Sequence, residues 1–319
     1  MMMIAGLSVV AILAGLAAFT AVGVWLIGRA HRPAGFFVPV NGGRLHVVEL
    51  RPAQGGDDPP VVLLHGASGN LEDQRLILGT GLAASRRVIL IDRPGHGFSD
   101  RPGGAADASP GRQAALVAQA LAGLGIDRAI IVGHSWSGAL AAAYALKYPD
   151  RVAGLVLLAP VTHPWPGGIS WYNDIAALPG IAQLFARTIV LPLGLCLIGR
   201  AVAQVFAPQA APERYLRRAA SLLVLRPAEF IANAQDLAAL EGFVAAQVPH
   251  YRAITAPTVI ITGDRDRTVS PKIHSRAVAA LIPNAKLVEL AGVGHMLPHV
   301  APETIIAAID ELARAANSE

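Results

Sequence analysis

The sequence predicts an α/β fold: a mostly parallel sheet flanked by helices, interrupted by a helical insertion and preceded by an N-terminal transmembrane helix. Three observations predict it. Short continuous apolar runs, such as Val61-Val62-Leu63-Leu64 and Ala129-Ile130-Ile131-Val132, read as strands buried on both faces. Helix-length segments separate these runs, so successive strands need right-handed crossovers and lie parallel. The alternation stops between about 161 and 252 and then resumes, which places a helical insertion inside the sheet-forming chain.

The first element is apolar. Residues 1–28 contain no charged side chain, and the stretch from Met3 to Ile27 is polar only at Ser8 and Thr20. At about 1.5 Å per residue, a helix of this length exceeds the roughly 30 Å hydrocarbon core. Arg29, His31 and Arg32 follow at once, with Trp25 at interface depth. A cleaved signal peptide would need a basic leading region and a shorter apolar core. Nothing basic precedes the run except the α-amino group, so residues 2–28 are expected to stay as an anchor in the lipid bilayer. The positive flank favours the rest of the chain on the cytoplasmic side. Long domains translocate regardless of flank charge, so the periplasmic or extracellular side stays open.

Four units follow from the pattern: an anchor at 1–32, a core at 33–160, a helical insertion at 161–252 and a second core part at 253–319. Phe37 to Leu50 reads as a hairpin turning at Asn41-Gly42-Gly43, and Arg51 to Asp58 as a Pro/Gly/Asp loop. Strands are expected at 61–64, 88–91, 129–133 and 153–158, with helices at about 71–83, 111–124 and 137–147. After the insertion, Thr258 to Ile261 and Lys286 to Leu290 read as the last strands. The insertion is broken by Pro164, Pro166, Pro179, Pro192, Pro212 and Pro227. Its most apolar part, Ile181 to Phe206, is expected to pack on the core or line an apolar tunnel rather than dip into the bilayer. Arg187, Arg200 and Pro192 argue against a second span there.

Composition narrows the function classes. Apolar residues make up 53% of the 319 residues and charged residues 15%, a balance that suits membrane association. The net charge is +4, but the arginines are scattered and no basic stripe is interleaved with aromatics, so nucleic acid is not an expected partner. The single cysteine, Cys196, sits in an apolar stretch and is expected to be a buried core residue. No Gly-rich phosphate loop or metal-ligand cluster is visible, and no cofactor is expected.

The motif that carries chemistry is Gly133-His134-Ser135-Trp136-Ser137-Gly138, between a strand and a helix. A sharp strand-to-helix turn holds a serine Oγ clear of the sheet and leaves the next amide at a helix N-terminus, facing a developing oxyanion. The usual pattern is G-x-S-x-G, and here Ser137 stands where the second glycine would. Ser137 is thus a rival nucleophile; Ser135 is favoured because Gly133 lies at the strand end. An acid and then a histidine should follow in chain order. Asp264 and Asp266 both lie in the loop after the strand at 258–261. Asp266 is preferred, since Asp264 is closer to the strand end, where it would cap the turn or pair with an arginine. His295, in Ala291-Gly292-Val293-Gly294-His295, follows the last strand; His299 is the lesser candidate. Upstream, the loop His65-Gly66-Ala67 would supply a second oxyanion donor, the amide of Ala67 beside that of Trp136. His65 is expected to bond loop backbone, and His96 near Asp92 to belong to a turn rather than to a metal pair.

In that order, His65-Gly66-Ala67, the segment from Asp92 to Ser99, Gly133 to Gly138, Gly263 to Asp266 and Gly294-His295 resemble the α/β-hydrolase family, from about Phe37 to the C-terminus. The resemblance implies that the acid falls three residues after Gly263, at Asp266. It also implies that 161–252 is a cap shaping the substrate pocket, with Trp165, Trp171 and Tyr172 as candidate lining. Dehalogenase and epoxide-hydrolase relatives place Asp where this chain has Ser135.

The expected function is a membrane-anchored serine hydrolase cleaving a small apolar carboxylic ester, with Ser135, Asp266 and His295 as the triad. Alternatives are a C–C bond hydrolase, an aminopeptidase using Glu213, Glu229 or Glu241 to hold an amine, or a non-catalytic ligand-binding or scaffold protein on the same fold. The pattern does not set the oligomeric state.

Overall fold

The computed structural model describes residues 2–53, 59–178 and 180–317. Residues 54–58 of the expected loop, and Pro179, lie outside the described residues. An N-terminal helix, α1 (Met2–Ala30), leads into β1 (Phe36–Val40) and β2 (Gly43–Leu50). Then come β3 (Val61–Leu64), β4 (Val88–Ile91), α2 (Pro110–Gly123), β5 (Ala129–His134), α3 (Ser137–Lys147) and β6 (Val152–Leu158). The insertion contains α4 (Leu191–Phe206) and α5 (Pro227–Gln247), and the chain closes with β7 (Thr258–Gly263), β8 (Lys286–Leu290) and α6 (Pro302–Ala316).

The eight strands form one sheet in the order β1-β2-β4-β3-β5-β6-β7-β8. The first two pairings are antiparallel and the rest parallel. Alternate residues of the parallel strands face opposite cores. Val62, Leu64, Ile89, Ile131 and Leu157 pack with α2 and α3 on one side. Val61, Leu63, Leu90, Val132 and Val156 pack with α6 on the other. Strands clothed on both faces need apolar residues at every position, which is why they are legible as unbroken runs.

The chain runs outward from β3 to β4 and then returns to place β5 on the other side of β3. That reversal opens a crevice at the carboxyl ends of β3 and β5. Leu64 and Gly133 are register partners there, so the loops that follow both strands meet by construction.

Among the described residues, two helical stretches are long and apolar enough to cross a membrane by length and composition: Gly6–Ala30 with mean hydropathy 2.4, and Ile181–Phe206 with mean hydropathy 2.0. The second is one continuous helical run that includes a π-type turn at Ala186–Val190. Its outer face does not pack as the sequence suggests. Cys196, expected in the core, is exposed. Between Leu191 and Phe206 only these two end residues are buried, so the apolar residues between them are exposed or half-buried rather than in the core. Trp171 and Tyr172, candidates for pocket lining, are 62% and 40% exposed.

Candidate active site

Ser135 follows β5 with φ at 55°, in the left-handed region. For a non-glycine residue that conformation costs on the order of 1–3 kcal/mol and needs surrounding bonds to hold it. The Ser135 amide donates to the carbonyl of Leu158 (2.9 Å), and its own carbonyl accepts from the amides of Gly138 (2.9 Å) and Val161 (3.0 Å). A Cβ at Gly133 would overlap the carbonyl of Ser137, and one at Gly138 would overlap Pro160, so both glycines are sterically required. Ser137 tolerates its side chain because it is fully buried and its hydroxyl donates to the carbonyl of His65. That hydroxyl is committed to the β3 loop.

His295 Nδ1–H donates to Asp266 Oδ2 at 2.7 Å, with both side chains buried. The other carboxylate oxygen of Asp266 accepts from the amides of Thr268 and Val269, each at 2.8 Å. The carboxylate is therefore fixed by its own loop and presents one oxygen to the imidazole. His295 is brought to the elbow: His134, the neighbour of Ser135, donates Nε2–H to the His295 carbonyl at 3.2 Å, and the two rings lie 5.0 Å apart. Burial, and then the proximity of His295, pull the His134 imidazole down to about 4. Asp264 turns away and accepts from the amide of Gly292 (2.7 Å). His299 bonds Asp73 instead (2.8 Å).

The two expected oxyanion donors come from adjacent loops. Trp136 immediately precedes α3, where helix amides are left without intrahelical partners. Ala67 precedes Ser68, which also has a positive φ, 56°. That turn is clamped from the insertion: Ser68 donates its amide to Asn233 Oδ1 (2.7 Å), and Asn233 Nδ2 donates to Ser68 Oγ (3.1 Å). Asn70 Nδ2 reaches the carbonyl of Ala219 (3.0 Å).

Sequence reasoning missed the residue that organises this region. Asp236 on α5 is fully buried. Its carboxylate accepts from Arg93 Nη1 (2.7 Å), His96 Nε2 (2.9 Å), Arg101 Nη2 (2.9 Å) and Gln113 Nε2 (3.0 Å). Its carbonyl accepts from the Trp136 indole N–H (3.1 Å), and the Arg93 guanidinium stacks 4.0 Å from that ring. Arg93 also donates to the carbonyls of His65 and Gly66. Burial alone would raise the Asp236 carboxyl; the His96 hydrogen bond and the Arg93 charge outweigh it and hold it down to about 2. His96 is lowered to about 4 by burial and by Arg93. The available signal was two basic residues, Arg93 and His96, in a turn between apolar elements, which require a buried acid from elsewhere. His65 bonds loop backbone as expected, with Nδ1–H donating to the Gly66 carbonyl (2.8 Å). Among the described residues no cluster of His, Cys, Asp and Glu could hold a metal ion.

A family profile described as alpha/beta hydrolase fold matches residues 59–302. The chain is 29% identical over 277 residues to haloalkane dehalogenase 2 of Mycobacterium tuberculosis, covering 84% of this chain and 91% of that protein. It is 36% identical over 152 residues to 1-acylglycerol-3-phosphate O-acyltransferase ABHD5 of Sus scrofa, covering 44% of this chain and only 43% of that protein's length. The crystal structure of the enol-lactonase from Burkholderia xenovorans LB400 superposes with a TM-score of 0.68 at 21% identity, over 87% of this chain and 99% of that one. The profile covers most of the chain, and on that ground the chain belongs to the alpha/beta hydrolase fold family.

Proposed function

We propose that this protein is a membrane-anchored serine hydrolase that cleaves an apolar carboxylic ester. The observation that carries the reading is the strained Ser135 turn, whose neighbour His134 bonds the His295 carbonyl, with the His295 imidazole held by Asp266 at 2.7 Å. In this mechanism His295 takes the Ser135 proton as Oγ attacks the ester carbonyl, and the amides of Ala67 and Trp136 bind the oxyanion. Collapse releases the alcohol, which receives the proton from His295, and leaves an acyl-Ser135. Water, deprotonated by the same histidine, then frees the acid. Asp266 fixes the tautomer and stabilises the imidazolium. The insertion over 161–252 serves as the cap, and 33–160 with 253–319 as the catalytic core. The anchor is α1, with Arg29 and Arg32 favouring a cytoplasmic catalytic domain.

Ser135 speaks against haloalkane dehalogenation as in the 29% identical relative, since an ester-forming Asp is the nucleophile of that chemistry. The aminopeptidase reading loses one candidate carboxylate. Glu229 is buried, accepts from the Gly97 amide (3.0 Å) and pairs with Arg226 (2.7 Å), so it is not free to hold an amine. A panel of p-nitrophenyl esters of increasing acyl length, with amino-acid anilides alongside, tests the reading. Ester turnover that is lost in Ser135→Ala supports it; anilide turnover without ester turnover refutes it.

A further inference from the structure

The N-terminal helix is not a free-standing tether. Gly23 lies directly against Leu191 of the insertion; a Cβ there would overlap the leucine side chain. Ile27 is buried in one cluster with Ala186, Val190, Leu191, Leu223 and Leu225. Gly23 is six residues before Arg29, the first charge after the apolar run, or about 9 Å up the helix axis. If α1 spans a bilayer with Arg29 at its edge, whatever packs on Gly23 is carried below that edge.

The surface of the insertion fits such an immersion. Ile181, Leu184, Leu193, Leu195 and Leu197 are each at least 41% exposed, on the same helical run that α1 touches. Contiguous exposed apolar faces of this kind mark an interaction site. Residues 188–199 hold no charge and are bracketed by Arg187 and Arg200. Twelve helical residues cover about 18 Å, too short for a core of roughly 30 Å. The uncharged segment by itself reaches into one leaflet only. Arg187 and Arg200 are exposed, where their long side chains can reach headgroups. At the foot of α1, a cavity of about 210 Å³ is lined by His31, Arg32 and Arg218 together with the Arg75–Glu72 ion pair and Asp92, a polar pocket of mixed charge at headgroup level.

We propose that the insertion is itself a membrane element: residues 188–199 lie in the acyl region of one leaflet beside α1, and the cap is thereby docked on the lipid surface. This rests on α1 being a membrane anchor. The same insertion clamps the loop after β3 through Asn233 and Asn70's contact at Ala219, so the candidate active site is held at the bilayer face. An apolar ester dissolved in lipid would reach it without first entering water.

Cys196, the only cysteine and exposed on this segment, makes the test direct. The full chain is spin-labelled at Cys196 and reconstituted in phosphatidylcholine–phosphatidylglycerol vesicles. Relaxation of the label is compared under oxygen, which concentrates in lipid, and under a water-soluble nickel chelate. Two references are made in a Cys196→Ala background: Ala18→Cys on α1 and Ala122→Cys on α2, both at exposed positions. The proposal expects the Cys196 label to follow the Ala18→Cys label, with oxygen the stronger relaxer by several-fold, and Ala122→Cys to show the reverse. If the Cys196 label behaves like Ala122→Cys while Ala18→Cys reads as lipid, the anchor stands and the immersed cap is refuted. If Ala18→Cys also reads as water, the anchor reading itself falls and the proposal with it.

Discussion

The Ser137 hydroxyl donates to the carbonyl of His65, tying the first turn of α3 to the loop after β3. This one contact separates the two serines of the elbow. Ser137 is buried and occupied, whereas Ser135 is held at positive φ next to His134, which bonds the His295 carbonyl. Ser137→Ala is therefore expected to cost about 1 kcal/mol of stability and to leave ester turnover within about tenfold. Ser135→Ala is expected to lower kcat by on the order of 10⁴ or more, as removal of a triad nucleophile does. Parallel kinetics and denaturant melts of the two variants check both.

The buried cluster around Asp236 carries a stability prediction. Arg93 and Asp236 are both fully buried, and among the described residues the other acceptors of Arg93 are neutral: the carbonyls of His65 and Gly66 and the Gln113 side-chain oxygen. Asp236→Asn removes the charge while keeping the shape, leaving Arg93 uncompensated, and should destabilise the fold by about 3–5 kcal/mol. Urea unfolding measures it. Wild-type stability in this variant would mean that the charge, as opposed to the hydrogen bonds, contributes nothing.

Asp236 also marks where the sequence stops being legible. The central parallel strands β3 and β4 could be placed within a residue or two because every position in them is apolar. The elbow, Asp266 and His295 could be ranked because each follows its own strand in chain order. The partners of the Asp236 carboxylate lie more than 120 residues away, and nothing in its local helix distinguishes it from a surface acid. Cys196 and Leu193 were unreadable for another reason. Their helix buries only Leu191 and Phe206, at its two ends, so its apolar residues do not report which side faces the core.

Acid sensitivity follows from two buried imidazoles. His96 and His134 are each pulled down to about 4, chiefly by burial. The folded chain then binds fewer protons than the unfolded chain once pH drops below the ordinary histidine value near 6.5. Stability is present in full above that value and is lost as pH falls toward 4, by up to about 1.4 kcal/mol per pH unit for each histidine. Urea midpoints at pH 7 and pH 5 should show the decline, and His96→Gln should make it shallower.

Asp266→Asn is expected to leave the elbow intact while removing the acceptor that sets the His295 tautomer. The loss in kcat should be about 10⁴-fold, with KM changed little. A large rise in KM at unchanged kcat would instead assign Asp266 to substrate binding.

The most direct test of the central claim is covalent. The full-length protein is treated with a fluorophosphonate, digested, and the modified peptide is identified by mass spectrometry. The account predicts a single adduct on Ser135, retained in Ser137→Ala and absent in Ser135→Ala. An adduct on Ser137, or no adduct on a folded protein, would contradict it.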